Sequence, residues 1–187
     1  MRKNIGIIAL TIIAVLMSGG ARASDGEIER MTLLMKGMST ATTEAEKDTE
    51  AKKDVDSLLY MAEKAPFDVK ALADAFIRLK TAGFTGSDYL QALVDAVAHF
   101  NGNSGTLHQA AFAIQQMVTI RRVSIEELKQ LDEAIPNASQ LMARGLSLSM
   151  ADMIDKVSKG QVKSKEALIL MFRQFEITFA GDYFVRQ

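Results

Sequence analysis

The chain has 187 residues, 48 % of them hydrophobic and 24 % charged, which suits one folded domain with or without an extended arm and excludes wholesale disorder. Its net charge is −1, so it has no basic excess for neutralising phosphates and no dedicated nucleic-acid site is expected. Cysteine is absent, which removes disulfides, thiolate metal sites and cysteine nucleophiles together.

The first 23 residues read as an apolar, signal-peptide-like leader. Arg2 and Lys3 precede an apolar run from Ile5 to Met17, followed by Ser18-Gly19-Gly20 and Ala21-Arg22-Ala23. This is a basic start, a hydrophobic stretch and an A-x-A cleavage pattern. The run is shorter than the ~20 residues a bilayer-spanning helix needs, though residues 5–17 allow membrane contact. Cleavage after Ala23 would make the protein periplasmic or secreted and leave 19 basic against 23 acidic residues. The competing reading is an apolar helix inside a longer helical protein.

From Asp25 onward the pattern is helix, short turn, helix. Asp25 to Lys36 reads as a helix ending at Gly37, with Met31, Met35 and Met38 in an apolar stripe beside Ile28 and Leu34. A Met-rich partner surface is the alternative for that cluster. Ser39 to Lys64 reads as a long, charge-dense helix with Ser39 as N-cap. Its first half is solvated; its second half carries Val55, Leu58, Leu59 and Ala62 at helical spacing. Pro66 breaks it and pushes Ala65 out of helical geometry. Residues 24–54 are thus expected to form a charged helical arm, and residues 55–187 a helical domain with Phe67 buried at its first corner.

Seven further helical segments follow. Val69, Leu72, Ala73 and Phe76 form the first, closed by Gly83. Leu90, Leu93, Val94 and Val97 form the next, closed by the turn Asn101 to Gly105. Then come Leu107, Ala110, Ala111, Ile114 and Val118, and a short helix with Ile125, Leu128 and Leu131 opened by a capping box of Ser124 and Glu127. Asn137 is expected to cap two turns ending at Gly145; Ser149 caps Met150, Met153, Ile154 and Val157 up to Gly160; Ser164 caps Leu168, Met171, Phe172 and Phe175. No alternating run is long enough for a strand. The fold class is therefore all-α: a multi-helix bundle of short antiparallel helices with a long charged N-terminal helix. A weak internal likeness, Arg122-Val123-Ser124 to Leu128 against Gln161-Val162 to Leu168, reads as a recurring helix-entry device and not a repeat protein.

Chemistry is sparse. His99 and His108 flank the Asn/Gly turn on different helices, outside any H-E-x-x-H pattern, and lack the ligands a zinc site needs. Gly102 to Gly105 lacks phosphate-loop spacing and follows no strand. Glu126/Glu127 and Asp152/Asp155 are carboxylate pairs whose first reading is structural. No catalytic, cofactor-binding or metal residues are expected, no cofactor is implied, and the chain reads as a non-enzyme.

One family resemblance is carried by phrases in order. Ala62-Glu63-Lys64-Ala65-Pro66-Phe67, followed by an apolar helix ending Leu79-Lys80-Thr81-Ala82-Gly83, resembles the N-terminal region of phage tail tape-measure proteins, with Ala65 where Thr is usual. Ala113 to Met117, Val123 to Leu131, Ile135-Pro136 with Gly145, and Lys159 to Val162 leading to Phe179-Ala180-Gly181 continue it. The resemblance spans roughly Gly26 to Gly181. It implies a structural or assembly role in a phage or prophage tail, a place in the virion tail, and partners among other tail proteins or copies of itself through helices. Family members are commonly several times longer, and the long body that sets tail length is not part of this chain. The leader fits either a remnant that begins inside an apolar segment or a domain joined to an export signal. On the leader alone, the alternative is an exported bacterial helical protein with an unknown binding role.

Overall fold

A computed structural model describes residues 23–181; the apolar leader's Ile5 to Met17 lies outside them. The described chain is helical throughout: α1 (Asp25–Met38), α2 (Glu44–Lys64), α3 (Val69–Thr81), α4 (Ser87–His99), α5 (Ser104–Thr119), α6 (Ile125–Ala134), α7 (Ala138–Gly145), α8 (Met150–Ser158) and α9 (Ser164–Phe179). Extended pairing among the described residues amounts to an isolated antiparallel bridge, Arg122 to Lys163. The fold class expected from the stripes is the one observed.

Helix starts follow the caps for the most part. Ser24 caps α1 and Thr43 caps α2, each in a reciprocal box with the Glu three residues on, Glu27 and Glu46. The second of these corrects the sequence reading. Ser39 does not open α2; it closes α1, and its hydroxyl accepts from the Ala41 amide at 3.1 Å. Thr43 with Glu46 is the better box, because each partner satisfies an orphan donor of the other. Asp68 and Ser149 cap α3 and α8 through the Ala71 and Asp152 amides, at 2.8 and 3.1 Å.

Three expected caps are made differently. Ser124 is the N-cap residue of α6 but its side chain makes no capping bond, and Glu127 is buried. The capping box expected there is absent. Replacing Ser124 by Ala should therefore cost well under the ~1 kcal/mol of a working cap, measured as a shift in urea midpoint; a full kcal/mol loss would restore the box. Asn137 sits in the left-handed region at φ 69° and caps nothing; Asp132 Oδ1 instead accepts from the Ser139 amide at 2.8 Å. Lys163, not Ser164, is the N-cap residue of α9, and Ser164 is buried as its first helical residue.

Ends are set by left-handed residues. Gly83 (φ 80°) closes α3, with its amide on Lys80 O and that of Phe84 on Leu79 O, both at 2.8 Å. Asn101, Ser147 and Gly160 hold the equivalent position after α4, α7 and α8. Gly145 is accordingly not the terminator of α7 but its last helical residue. A Cβ there would lie 2.9 Å from Leu170 O and 3.0 Å from its carbonyl carbon. The glycine lets α7 and α9 approach backbone to side.

The core is one cluster. α3 packs on α5, α9 on α7 and α4, α5 on α6, and the α1–α2 hairpin joins through α2 on α3. Every named stripe residue of α3 and α4 is buried. Met31, Met35 and Ala51 belong to the same cluster, with Phe67 buried where α2 turns into α3. Leu34, expected in the stripe, is exposed. Asp54 and Lys80 form a largely buried ion pair between α2 and α3, with the Lys80 ammonium 4.9 Å from the Phe76 ring centre.

An aromatic ladder runs along the buried side of α9. Phe172 meets Phe84 and Tyr89 with centroids 5.3 and 5.1 Å apart, then Phe175 at 6.0 Å. Phe175 meets Phe179 at 5.9 Å, and Phe179 meets Phe100 and His99 at 5.7 and 4.9 Å. Lys165 closes the upper end: its ammonium lies 4.7 Å from the Phe84 ring centre and donates to Gly83 O at 2.7 Å. A cation at the C-terminus of α3 also complements that helix's dipole.

Candidate functional site

Most of the residues with chemical potential are tied to a structural neighbour. His108, on α5, shares a carboxylate with α3: His108 Nδ1 and Arg78 Nε both lie 2.8 Å from Asp74 Oδ2. Arg78 also donates to Gln115 Oε1 at 2.8 Å and lies 5.3 Å from the Phe112 ring centre. This is a surface tie between two helices, placed by i, i+4 spacing on each: Asp74/Arg78 and His108/Phe112. His99 is elsewhere, edge-on to Phe100. The two histidines that neighbour one another in sequence are not brought together, and no group of three or more His, Asp or Glu able to hold a metal occurs among the described residues.

The carboxylate pairs separate in the same way. Asp152 accepts from the Ser149 hydroxyl at 2.6 Å, and Asp155 pairs with Lys159 at 2.6 Å. Glu126 is exposed, while Glu127 Oε2 is buried without a hydrogen-bond partner. The α6 dipole favours an acid in this first turn. Gly105 belongs to the start of α5, where Asn103 Oδ1 accepts from the Gly105 and Thr106 amides at 2.9 and 3.1 Å. The turn caps a helix, and the Asn103 amide donates to Thr106 Oγ1 at 3.3 Å.

Surface concavities are shallow. One open groove lies along α2, lined by Thr49, Lys52, Lys53, Asp56, Ser57 and Tyr60. Of the large apolar side chains left exposed, Leu33, Leu34 and Tyr60 sit on the N-terminal hairpin, Phe112 and Ile120 on and just after α5, Ile154 on α8 and Ile177 on α9. No described helix is long and apolar enough to cross a membrane.

Two aspartates carry an acid dependence. Burial opposes the Asp74 charge, but the hydrogen bonds from Arg78 and His108 outweigh it and hold the carboxyl below its ordinary range. The Ser104 hydroxyl, then the Ala71 amide, do the same for Asp68. Both groups bind protons more weakly folded than unfolded. Their stabilisation is therefore complete above the unfolded aspartate value of about 4 and is lost as pH falls through the lowered folded values. Melting temperature should drop below about pH 4, and the double variant Asp68→Asn, Asp74→Asn should show a flatter acid limb. An identical limb in the variant would remove these two groups from the account.

Short helices around one apolar cluster, with polar side chains committed to caps and inter-helix ties, define a structural helical module. The family model described as "Tape measure protein" matches residues 27–180, and the chain belongs to that family. Neither a curated protein nor a solved structure matches it. Membership gives the chain a structural role in a phage tail, in the company of other tail proteins. The phrases that carried the resemblance are now physical: Pro66-Phe67 is the α2–α3 corner, Leu79 to Gly83 is the closing turn of α3, and Val123 and Val162 are the buried residues beside the Arg122–Lys163 bridge.

Proposed function

We propose that the protein is a non-enzymatic structural or assembly component of a phage or prophage tail, contributing a folded helical module that other tail proteins or further copies bind. The family match over residues 27–180 carries this reading. The structure supports it by its economy: the histidines and the carboxylates considered above are mostly held in helix-to-helix contacts or caps. In this reading residues 24–54 form the associating arm. Lys36 closes that arm on itself by bridging to Glu44 and Asp48 at 3.2 and 2.6 Å, and Met31, Met35 and Ala51 join it to the core cluster.

The test is genetic and structural. Deleting the gene from an inducible phage or prophage should abolish or deform tails seen by electron microscopy, and complementation should restore them. Normal tails in the deletion strain would end the reading. Replacing both histidines by Gln should leave complementation intact; losing it would assign them a role beyond structure.

A further inference from the structure

We propose that the tip of the α1–α2 hairpin docks on the basic surface around the Arg122–Lys163 bridge of a second copy of the chain, so that copies join head to tail. This rests on the reading of residues 24–54 as the associating arm and names what that arm meets. The receiving surface is rich in uncommitted cations. Residues 119–122 and 159–165, the stretches that the bridge brings together, hold five bases and no acid. Lys159 is engaged by Asp155, and Lys165 by Gly83 O. Arg121, Arg122 and Lys163 are exposed and form no ion pair among the described residues. Arg122 lies against Gly160, where an added Cβ would come within 3.4 Å of its guanidinium, and the neighbouring Ile120 side chain is 43 % exposed.

The hairpin tip has the opposite character. Between Ser39 and Glu50 the sequence places four acids, Glu44, Glu46, Asp48 and Glu50, against one base, Lys47. An open groove there is lined by Thr40 to Thr42, Ala45, Glu46 and Glu50. Leu33 and Leu34, within a turn of Lys36, are 63 % and 55 % exposed. The hairpin joins the bundle through α3 and α4, and no residue from 36 to 50 is buried. Each surface therefore combines exposed apolar side chains with charge, the make-up of a protein–protein contact. The signs select the occupant. Two tips brought together would set acids against acids, and two bridge surfaces would set bases against bases. A tip against a bridge surface is attractive, and because both belong to one chain the contact is heterologous: it propagates from copy to copy or closes into a ring.

The test uses the purified full chain in sedimentation equilibrium. It should self-associate at low salt, and the association should weaken about ten-fold or more as NaCl rises from roughly 0.05 to 0.5 M, because ions screen exposed charge pairs. The triple variant Arg121→Glu, Arg122→Glu, Lys163→Glu and the double variant Glu44→Lys, Glu50→Lys should each stay monomeric alone. Mixed in equal amounts they should associate again, since the mixture offers an unaltered tip to an unaltered bridge surface. A second readout needs no substitution. Carbodiimide, which joins touching amines and carboxylates, should link Lys163 to a tip carboxylate, and a mixture of isotopically light and heavy chains should show that the link runs between copies. A chain that is monomeric at low salt, association that salt leaves unchanged or strengthens, variants whose mixture stays monomeric, or links that leave Lys163 apart from the tip would each overturn the proposal. The tail reading is decided separately, by tail morphology in the deletion strain.

Discussion

Replacing Phe172 by Ala should remove about 3–5 kcal/mol of stability, a large share of the roughly 5–15 kcal/mol that holds a domain together. Phe172 is buried at the middle of the ladder, in ring contact with Phe84, Tyr89 and Phe175. Those contacts join α9 to α4 and to the turn after α3, so the hole would open where three parts of the chain meet. Lys165 sharpens the effect, because its ammonium rests on the Phe84 ring that Phe172 supports. Phe172→Leu keeps much of the volume and should cost less than half as much. Ile177→Ala, five residues along the same helix but solvent-facing, should be nearly neutral. Urea midpoints of the three variants are the check. A Phe172→Ala loss below about 1 kcal/mol would mean that the ladder does not hold α9.

The second large effect is expected at Gly145, where two rules oppose each other. Alanine is favoured over glycine inside a helix by about 1 kcal/mol, so propensity alone predicts stabilisation. The steric term has the other sign. The new Cβ would press on the Leu170 carbonyl oxygen at 2.9 Å and its carbon at 3.0 Å, and both are backbone atoms of α9 that cannot rotate away. Relief requires α7 and α9 to separate, which loosens Leu141 and Met142 on one side and Met171 on the other. Overpacking of this kind typically costs about 1–3 kcal/mol, and the backbone contact places Gly145→Ala toward the upper end. A bulkier Val should do worse. Thermal melts of Gly145→Ala decide the sign, and a raised melting temperature would show that the two helices part freely.

The helices were legible because burial follows their period. Val69, Leu72, Ala73 and Phe76, or Leu90, Leu93, Val94 and Val97, occupy one face each, and the structure buries all eight. Pro66 and Gly83 were readable for local reasons, one lacking an amide hydrogen and the other adopting φ 80°. Misreadings arose where tertiary contacts decide. Gly145 looks like a helix end in sequence, but its smallness serves a crossing helix. Ser124 and Glu127 have capping-box spacing, yet packing draws Glu127 inward. Ser39 and Thr43 both precede plausible helix starts, and only the reciprocal bond to Glu46 separates them. The helix-to-helix ties were invisible for a simpler reason. Asp74 and His108 are 34 residues apart, and nothing in either stretch announces the other.

The bridge between Arg122 and Lys163 has a consequence for how the chain is partitioned. The Val123 amide donates to Val162 O at 2.9 Å, and both valines are buried. The path therefore leaves this point, makes α6, α7 and α8, and returns to it before entering α9. Opening this excursion also means parting α6 from α5 and α7 from α9, while the paired ends at its neck can stay joined. Amide hydrogens of α6 and α8 should exchange together, ahead of the Val123 amide that clasps the neck. Extra residues at an exposed turn of such a segment leave its paired ends where they are. The place where this fold best tolerates inserted sequence is then inside the excursion, at exposed turns such as Ser147, and not at the neck.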